Sequence, residues 1–317
     1  MPRSGTTLLS RLLHAHPALA IAPETHYFTR CWDGAAIDGP RRAQAYLDCL
    51  LRQPGVADMA MADEELEAVR QAVREADVAT HRDLLDALLS RYAAAHDAPY
   101  WGEKTPEHLA YVRPIAEEFP EAAFLVLMRD PRDVSRSLRR MPWNQGKTVV
   151  DHAGQWARAA RLAQQYESDA ALHVHILRYE DLIEAPEDRL RAVCEFLDLS
   201  YEPRMLGAEG GDANFDPERE PWKAKAQQAI DPSNKEKWRG EMPAVERKIM
   251  ETWAGAEMDA FGYPLEELSW RMGMAAPLAR ILAETFSGQL RRAWRHGLQA
   301  TPTNQMPWRD AAGRSES

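Results

Sequence analysis

Cysteine is scarce in this chain. Cys31, Cys49 and Cys194 are its only three, too few for a disulfide framework and without the C-x-x-C pairs that mark zinc sites. Long apolar runs are missing as well: stretches such as 122–128 fall far short of the roughly 20 residues that span a bilayer. Nor is there an excess of positive charge. Lys and Arg number 39 against 49 Asp and Glu, a formal charge of −10, which speaks against a general nucleic-acid binder with its broad basic surface. The first 22 residues carry small apolar side chains behind Arg3, yet Arg11, His14 and His16 interrupt any signal-peptide core and no clean cleavage site follows. With 45% hydrophobic and 28% charged residues over 317 positions, the composition is that of a soluble chain with one large domain or two small ones. A reducing, cytoplasmic compartment is expected.

Periodicity divides the chain. Residues 6–15 place Leu8, Leu9, Leu12 and Leu13 on one helical stripe, Pro17 stops it, and 18–22 form a short apolar run fit for a strand. From about 35 to 98, the segments 41–52, 63–76 and 82–95 carry a 3.6-residue period, as in Leu66, Val69 and Val73, with no strand between them. They predict a helical insertion. A strand at 100–101 leads to a helix opened by Pro106 and running to 118. Residues 123–128 are continuously apolar, the pattern of a strand buried on both faces of a parallel sheet. Helices at 131–140, 149–166, 186–197 and 243–261, with a strand at 173–177, complete an α/β alternation whose crossovers imply a parallel sheet. Residues 200–234 form a long loop rich in Gly, Pro and acidic residues, a length more often functional than idle. A basic amphipathic helix is expected at 276–296, with Arg280, Arg291, Arg292 and Arg295, followed by a frayed tail at 301–317. The domain reading is therefore 1–268 with the insertion at about 35–98, then a C-terminal helix and tail at 269–317.

Pro2-Arg3-Ser4-Gly5-Thr6-Thr7 runs straight into the first helix. Exposed N–H groups at a helix N-terminus, backed by the dipole, bind anions. Gly5 permits close backbone approach, Thr6 and Thr7 add hydroxyls, and Arg3 adds a planar cationic fork. By itself such a turn is more often only a cap. Against the triphosphate P-loop G-x-x-x-x-G-K-[ST], Gly5 takes the second glycine position but Thr6 stands where lysine is required, and no strand ends in an obvious magnesium-binding Asp. The loop suits an anion needing less neutralisation than a triphosphate with magnesium. Its first glycine would fall one position before Met1, and the strand that should feed the loop is absent. Either a first core strand lies upstream of Met1 or the pattern does not apply.

Further motifs follow in order. Arg129-Asp130-Pro131-Arg132-Asp133-Val134-Ser135-Arg136-Ser137 puts an Arg at a strand end and a Ser eight residues later on the next helix, so that both can reach one phosphate; an Arg–Asp ion pair with a solvent-facing serine is the plain alternative. Glu24, in Pro23-Glu24-Thr25, sits beyond a strand end, where ligands of α/β folds bind; a solvated Glu is the commoner fate. Lys104 lies in Gly102-Glu103-Lys104-Thr105-Pro106, where Glu103 or His108 could claim the catalytic role instead; against them, Glu103 neighbours Lys104 and can simply pair with it, and His108 is expected to face along the following helix. Together these segments resemble the sulfotransferases that use 3'-phosphoadenosine 5'-phosphosulfate, nearest in spacing to the tyrosylprotein group. The resemblance spans nearly all of residues 1–262 outside the insertion. It implies an α/β, P-loop-like three-layer fold with a central, mostly parallel sheet flanked by helices. Arg3, Ser4, Gly5, Thr6 and Thr7 would hold the 5'-phosphosulfate, and Arg129 and Ser137 the 3'-phosphate. Glu24 would be the catalytic base, and Lys104, helped by Arg3, would stabilise the leaving group. Arg178-Tyr179-Glu180-Asp181-Leu182 resembles a segment placing Tyr179 near the nucleotide, while Glu180 and Asp181 read as the start of a helix. Asn234-Lys235-Glu236-Lys237-Trp238 resembles a returning segment in which Lys237 touches the phosphosulfate side and Trp238 anchors packing, although the preceding loop also offers Lys223 and Lys225.

The activity so implied is in-line sulfuryl transfer to a hydroxyl or amine, with positioning and electrostatics supplying most of the rate. No metal is expected, because the transferred group carries one negative charge. Acceptors of any kind, small molecule, glycan, lipid or peptide, stay open, as does the oligomeric state. A small-molecule kinase and a non-catalytic nucleotide-binding protein are the rival readings.

Overall fold

The computed structural model describes residues 1–75, 80–207, 218–266 and 268–298, with side chains through residue 289. Helix α1 (Thr6–His14) leads into strand β1 (Leu19–Ala22), and after a single π-turn (Tyr27–Cys31) come four insertion helices, α2 (Pro40–Leu51), α3 (Pro54–Asp58), α4 (Asp63–Glu75) and α5 (His81–Ala95). Then follow β2 (Tyr100–Glu103), a 3₁₀ stretch (Pro106–Tyr111), α6 (Val112–Glu118), β3 (Ala123–Met128), α7 (Pro131–Leu138), α8 (Val149–Glu167) and β4 (His173–Arg178). The chain continues through α9 (Tyr179–Glu184), α10 (Pro186–Phe196), a 3₁₀ turn (Pro221–Gln227), α11 (Trp238–Glu241), α12 (Ala244–Ala260) and α13 (Ala275–Leu298). The tail expected at 301–317, the centre of the loop at 208–217, and the side chains of Arg291, Arg292 and Arg295 lie outside what is described.

The four strands among the described residues are parallel, in two pairs. β1 pairs with β2 from Leu19↔Tyr100 to Ala22↔Glu103, and β3 with β4 from Ala123↔His173 to Met128↔Arg178. Between the pairs lies a cavity of about 610 Å³. Consecutive residues of β2 and of β3 line it, which alternating strands can do only with their edges. Among the described residues the two pairs therefore stand as separate two-stranded sheets rather than one continuous sheet.

Alternation along β3 explains the layering. Val126 and Met128 enter one apolar cluster with α7, α8 and α12, through Val134, Trp156, Ala160 and Ile249. Leu127 enters another on the opposite face, with Leu9 and Leu12 of α1 and Leu182 and Val193 of α9 and α10. Helices thus cover both faces of the carboxyl half of β3, where Val126, Leu127 and Met128 are buried; the expected burial of the whole segment is not met, since Phe124 and Leu125 are half-buried and Ala123 at the strand's start is exposed. The insertion builds a third cluster over β1, in which Leu47, Leu50, Val69, Leu84 and Leu88 pack on Ala20 and Ala22. Helix α13 lies on α8, joined through Thr285 and Thr148.

Two local expectations are corrected. Cys31 and Cys49 form a disulfide, so the cysteines do supply one bridge, though not a framework. The cysteine count no longer supports a reducing compartment. The helix opened by Pro106 starts as a 3₁₀ stretch, Pro106–Tyr111, and becomes α-helical only at Val112.

Candidate active site

The phosphate loop is built around two left-handed residues, Arg3 (φ 66) and Gly5 (φ 95). Gly5 precedes α1 with no side-chain cap on the helix, so the first-turn N–H groups have no side-chain partner and face outward with the dipole behind them. Ser4 is 1% exposed, and its buried Oγ has no hydrogen-bond partner among the described residues. A Cβ on Gly5 would overlap the ring of Tyr179; glycine is needed here for conformation and for this close approach. Tyr179 therefore sits against the loop, at the carboxyl end of β4.

Arg129 follows β3 and stacks its guanidinium 4.2 Å from the Tyr179 ring centroid. Its Nη2 donates to the Asn234 carbonyl at 2.8 Å. Asn234 in turn donates through Nδ2 to the Tyr179 hydroxyl at 2.7 Å, and its Oδ1 accepts from Lys237 Nζ at 2.8 Å. Asn234, to which sequence reasoning gave no role, joins three of the nominated residues. Trp238 is fully buried under Arg132, whose guanidinium lies 3.7 Å from the ring centroid, and its backbone N–H donates to Asp133 Oδ1 at 3.0 Å. Ser137 meets Arg3 rather than Arg129: Arg3 Nε donates to Ser137 Oγ at 2.9 Å. The Arg–Asp ion pair considered from sequence does form within the motif, but between Arg132 and Asp130, which also caps α7, and it leaves Arg129 to Tyr179 and Asn234. Burial first, and then the positive charge of Arg129, lower the Arg3 pKa; two guanidiniums that repel each other, one half-buried and one buried, favour an anion between them.

Glu24 and Lys104 stand just past β1 and β2. Because Ala22 is paired in register with Glu103, parallel neighbours deliver both side chains to one spot, and Lys104 Nζ donates to Glu24 Oε1. That oxygen also accepts from Lys223 Nζ at 2.8 Å, while His26 Nε2 lies 3.5 Å from Oε2. Burial opposes the Glu24 charge, but the ammonium groups of Lys104 and Lys223 outweigh it and hold the carboxyl down to about 2. Burial lowers the Lys104 ammonium by more than Glu24 raises it. Lys223 ends up raised, since Glu24 and Glu220 outweigh its burial.

Glu103 does not pair with Lys104. Its Oε1 accepts from the Thr25 N–H at 2.7 Å, the Thr25 hydroxyl at 3.0 Å and the Thr105 hydroxyl at 2.6 Å, and its Oε2 lies 3.0 Å from His108 Nδ1. Glu103 and His108 thus brace the turn that carries Glu24. Like Asn234, Lys223 and His26 are site residues to which the sequence reading assigned no catalytic part; the signal for Lys223 was a lysine within a long loop. Among the described residues no group of three or more His, Cys, Asp or Glu could hold a metal ion, and no helix is long and apolar enough to cross a membrane.

The sequence pattern of the sulfotransferase family matches residues 1–203. This chain belongs to the sulfotransferase family. It is similar to the nodulation protein NoeE of Sinorhizobium fredii, at 25% identity over 81% of this chain and 63% of that protein. It is also similar to protein-tyrosine sulfotransferase 1 of Danio rerio, at 27% identity over 77% of this chain and 65% of that one. The chain therefore spans just under two thirds of the length of these relatives. In fold it resembles the sulfotransferase domain of the Synechococcus PCC 7002 olefin synthase, with a TM-score of 0.58 at 24% identity over 83% of this chain and 92% of that domain. The sulfotransferase domain of the curacin biosynthetic pathway gives a TM-score of 0.57 at 19% identity, over 83% of this chain and 95% of that domain.

Proposed function

We propose that this protein transfers a sulfuryl group from 3'-phosphoadenosine 5'-phosphosulfate to a hydroxyl or amine acceptor. The observation that carries the reading is the Glu24–Lys104 pair standing beside an uncapped phosphate loop, a base next to the cation its reaction needs. Arg129, stacked on Tyr179, and Ser137 bind the 3'-phosphate. Ser137 accepts from Arg3, so its own proton is available to the phosphate. The backbone from Arg3 to Thr7, the Ser4 hydroxyl and the Arg3 guanidinium take the 5'-phosphosulfate, with Lys237 approaching from the returning segment. Glu24 accepts the acceptor's proton as the acceptor atom bonds to sulfur and the bond from sulfur to the 5'-phosphate oxygen breaks. Lys104, with Arg3, stabilises the negative charge left on that oxygen. Membership of the sulfotransferase family supports sulfuryl transfer in general, and the tyrosine named for the Danio rerio protein is one acceptor class to try.

The test is calorimetric binding of 3',5'-bisphosphoadenosine together with transfer from isotopically labelled donor to a panel of phenols, alcohols, amines, glycans and tyrosine peptides. Replacing the base, Glu24→Gln, should lower kcat by about 10²–10⁴-fold while bisphosphate binding persists. Undiminished turnover in that variant would remove Glu24 from the reaction. Binding of magnesium ATP without binding of the bisphosphate would replace the proposal with the kinase reading.

A further inference from the structure

We infer that Lys223 is a positioning residue of this centre, an ammonium that a strap at residues 218–227 lays on the Glu24 carboxylate. The inference rests on the reading of Glu24 as the acceptor's base. The strap is tied at several points. Arg219 pairs with Asp58 at the end of α3, Arg3 donates to the Trp222 carbonyl at 3.4 Å, and the Lys223 N–H closes a turn on the Glu220 carbonyl at 2.9 Å. It therefore bridges the helical insertion and the phosphate loop, across the base. Lys223 is 8% exposed and donates to Glu24 and Glu220, each at 2.8 Å. The insertion approaches equally closely: a Cβ on Gly55 of α3 would overlap the Glu24 carbonyl oxygen.

A charge count gives Lys223 its purpose. The reaction has two negative centres, the Glu24 carboxylate and the oxygen released from sulfur. Lys104 sits on the first in this structure and is wanted at the second. One lysine cannot neutralise both. With Lys223 on the same Glu24 oxygen, Lys104 can turn to the released oxygen while Glu24 keeps a cation and stays ionised, ready to take a proton. Releasing one of two ammonium partners also raises the carboxylate's proton affinity at the moment it is needed. The charged and titratable groups around Glu24 are Lys104 beyond β2, Lys223 and Glu220 on the strap, and His26 on its own segment. Glu103 lies behind Lys104, and Arg30, Glu103 and Glu107 act on His26.

The test is direct titration of the Glu24 carboxyl by carbon-13 NMR, on the full chain labelled at glutamate and assigned with Glu24→Gln. In the wild-type protein Glu24 should titrate well below the ordinary glutamate value of about 4. In Lys223→Met its midpoint should rise by about one unit or more, while Lys223→Arg should leave it low. Lys223→Gln serves if the methionine variant does not fold. The acid limb of kcat/KM should move up with the titration, and bisphosphate affinity should change by no more than about twofold, since Lys223 faces the carboxylate and not the nucleotide. An unmoved Glu24 titration in a folded Lys223 variant, with Glu24→Gln inactive, overturns the role of Lys223 alone. Full activity of Glu24→Gln overturns the base reading and the strap's catalytic meaning with it, whatever the titration shows.

Discussion

Two single atoms define the site at the residue scale: the missing Cβ of Gly5 and the Oε1 of Glu24. Gly5 holds φ 95 with Tyr179 packed where a side chain would begin, and Tyr179 supports Arg129 from below. Gly5→Ala should therefore destabilise the protein by about 2–4 kcal/mol through left-handed strain and overpacking. It should also weaken bisphosphate binding by displacing the Tyr179–Arg129 stack. Urea denaturation and calorimetry on the same samples check both, and a variant that binds normally would show that the close approach is dispensable. Glu24 Oε1 accepts from two ammoniums at once, so its basicity depends on which lysine is elsewhere engaged.

At the scale of elements, the segment following β1 has to carry Glu24 to the right place with little regular structure to hold it. Glu103 braces it from β2, and α3 closes on its backbone at Gly55. Further along, the π-turn is fastened to α2 by the Cys31–Cys49 bridge, whose partners lie 18 residues apart in sequence. Closing a loop of that length stabilises a folded protein by about 3 kcal/mol in the chain-entropy account. Cys31→Ser with Cys49→Ser should lower the unfolding free energy by that order in urea denaturation, and dithiothreitol should reproduce the loss in the wild type. If neither treatment moves the midpoint, the bridge contributes nothing to stability. The extended order of motifs was legible because strands and helices announce themselves by period. The bridge was not, because three cysteines in a chain carry no sign of which pair will meet.

Acid stability belongs to the whole molecule. His152 is 1% exposed, with Nε2 2.9 Å from the Asn144 amide nitrogen and Nδ1 2.8 Å from the Ser135 hydroxyl. The amide can only donate, so Nε2 accepts and Nδ1 carries the proton. Burial first, then the charges of Arg139 and Lys147, push this imidazole down from 6.5 to about 4. The unfolded chain takes up that proton first, so the stability from His152 is complete above 6.5 and drains away as pH falls through about 4. Glu24 behaves alike in a lower window: its contribution is complete above 4.5 and lost as pH falls through about 2. The difference in unfolding free energy between wild type and His152→Gln should therefore shrink as pH drops from 6.5 to about 4, by an amount on the order of 3 kcal/mol. That between wild type and Glu24→Gln should hold steady across the same interval down to 4.5 and shrink only below it. Urea denaturation across pH checks both, and a difference independent of pH in either case would refute the corresponding shift.

The sequence by itself determined the alternation of the main helices and strands, the apolar strand Ala123–Met128, the anion loop ahead of α1, and the family these motifs belong to. Those features are local: apolar period, proline and glycine stereochemistry and short spacings are written residue by residue. Tertiary structure alone decided that Ser137 meets Arg3 across 134 positions and that Lys223 reaches Glu24 across 199. It also decided that Asn234 ties Arg129, Tyr179 and Lys237 together. A charged side chain in a loop has no period to betray its partner; the partner is chosen by how strands in register and helices on two faces bring distant chain ends to one crevice.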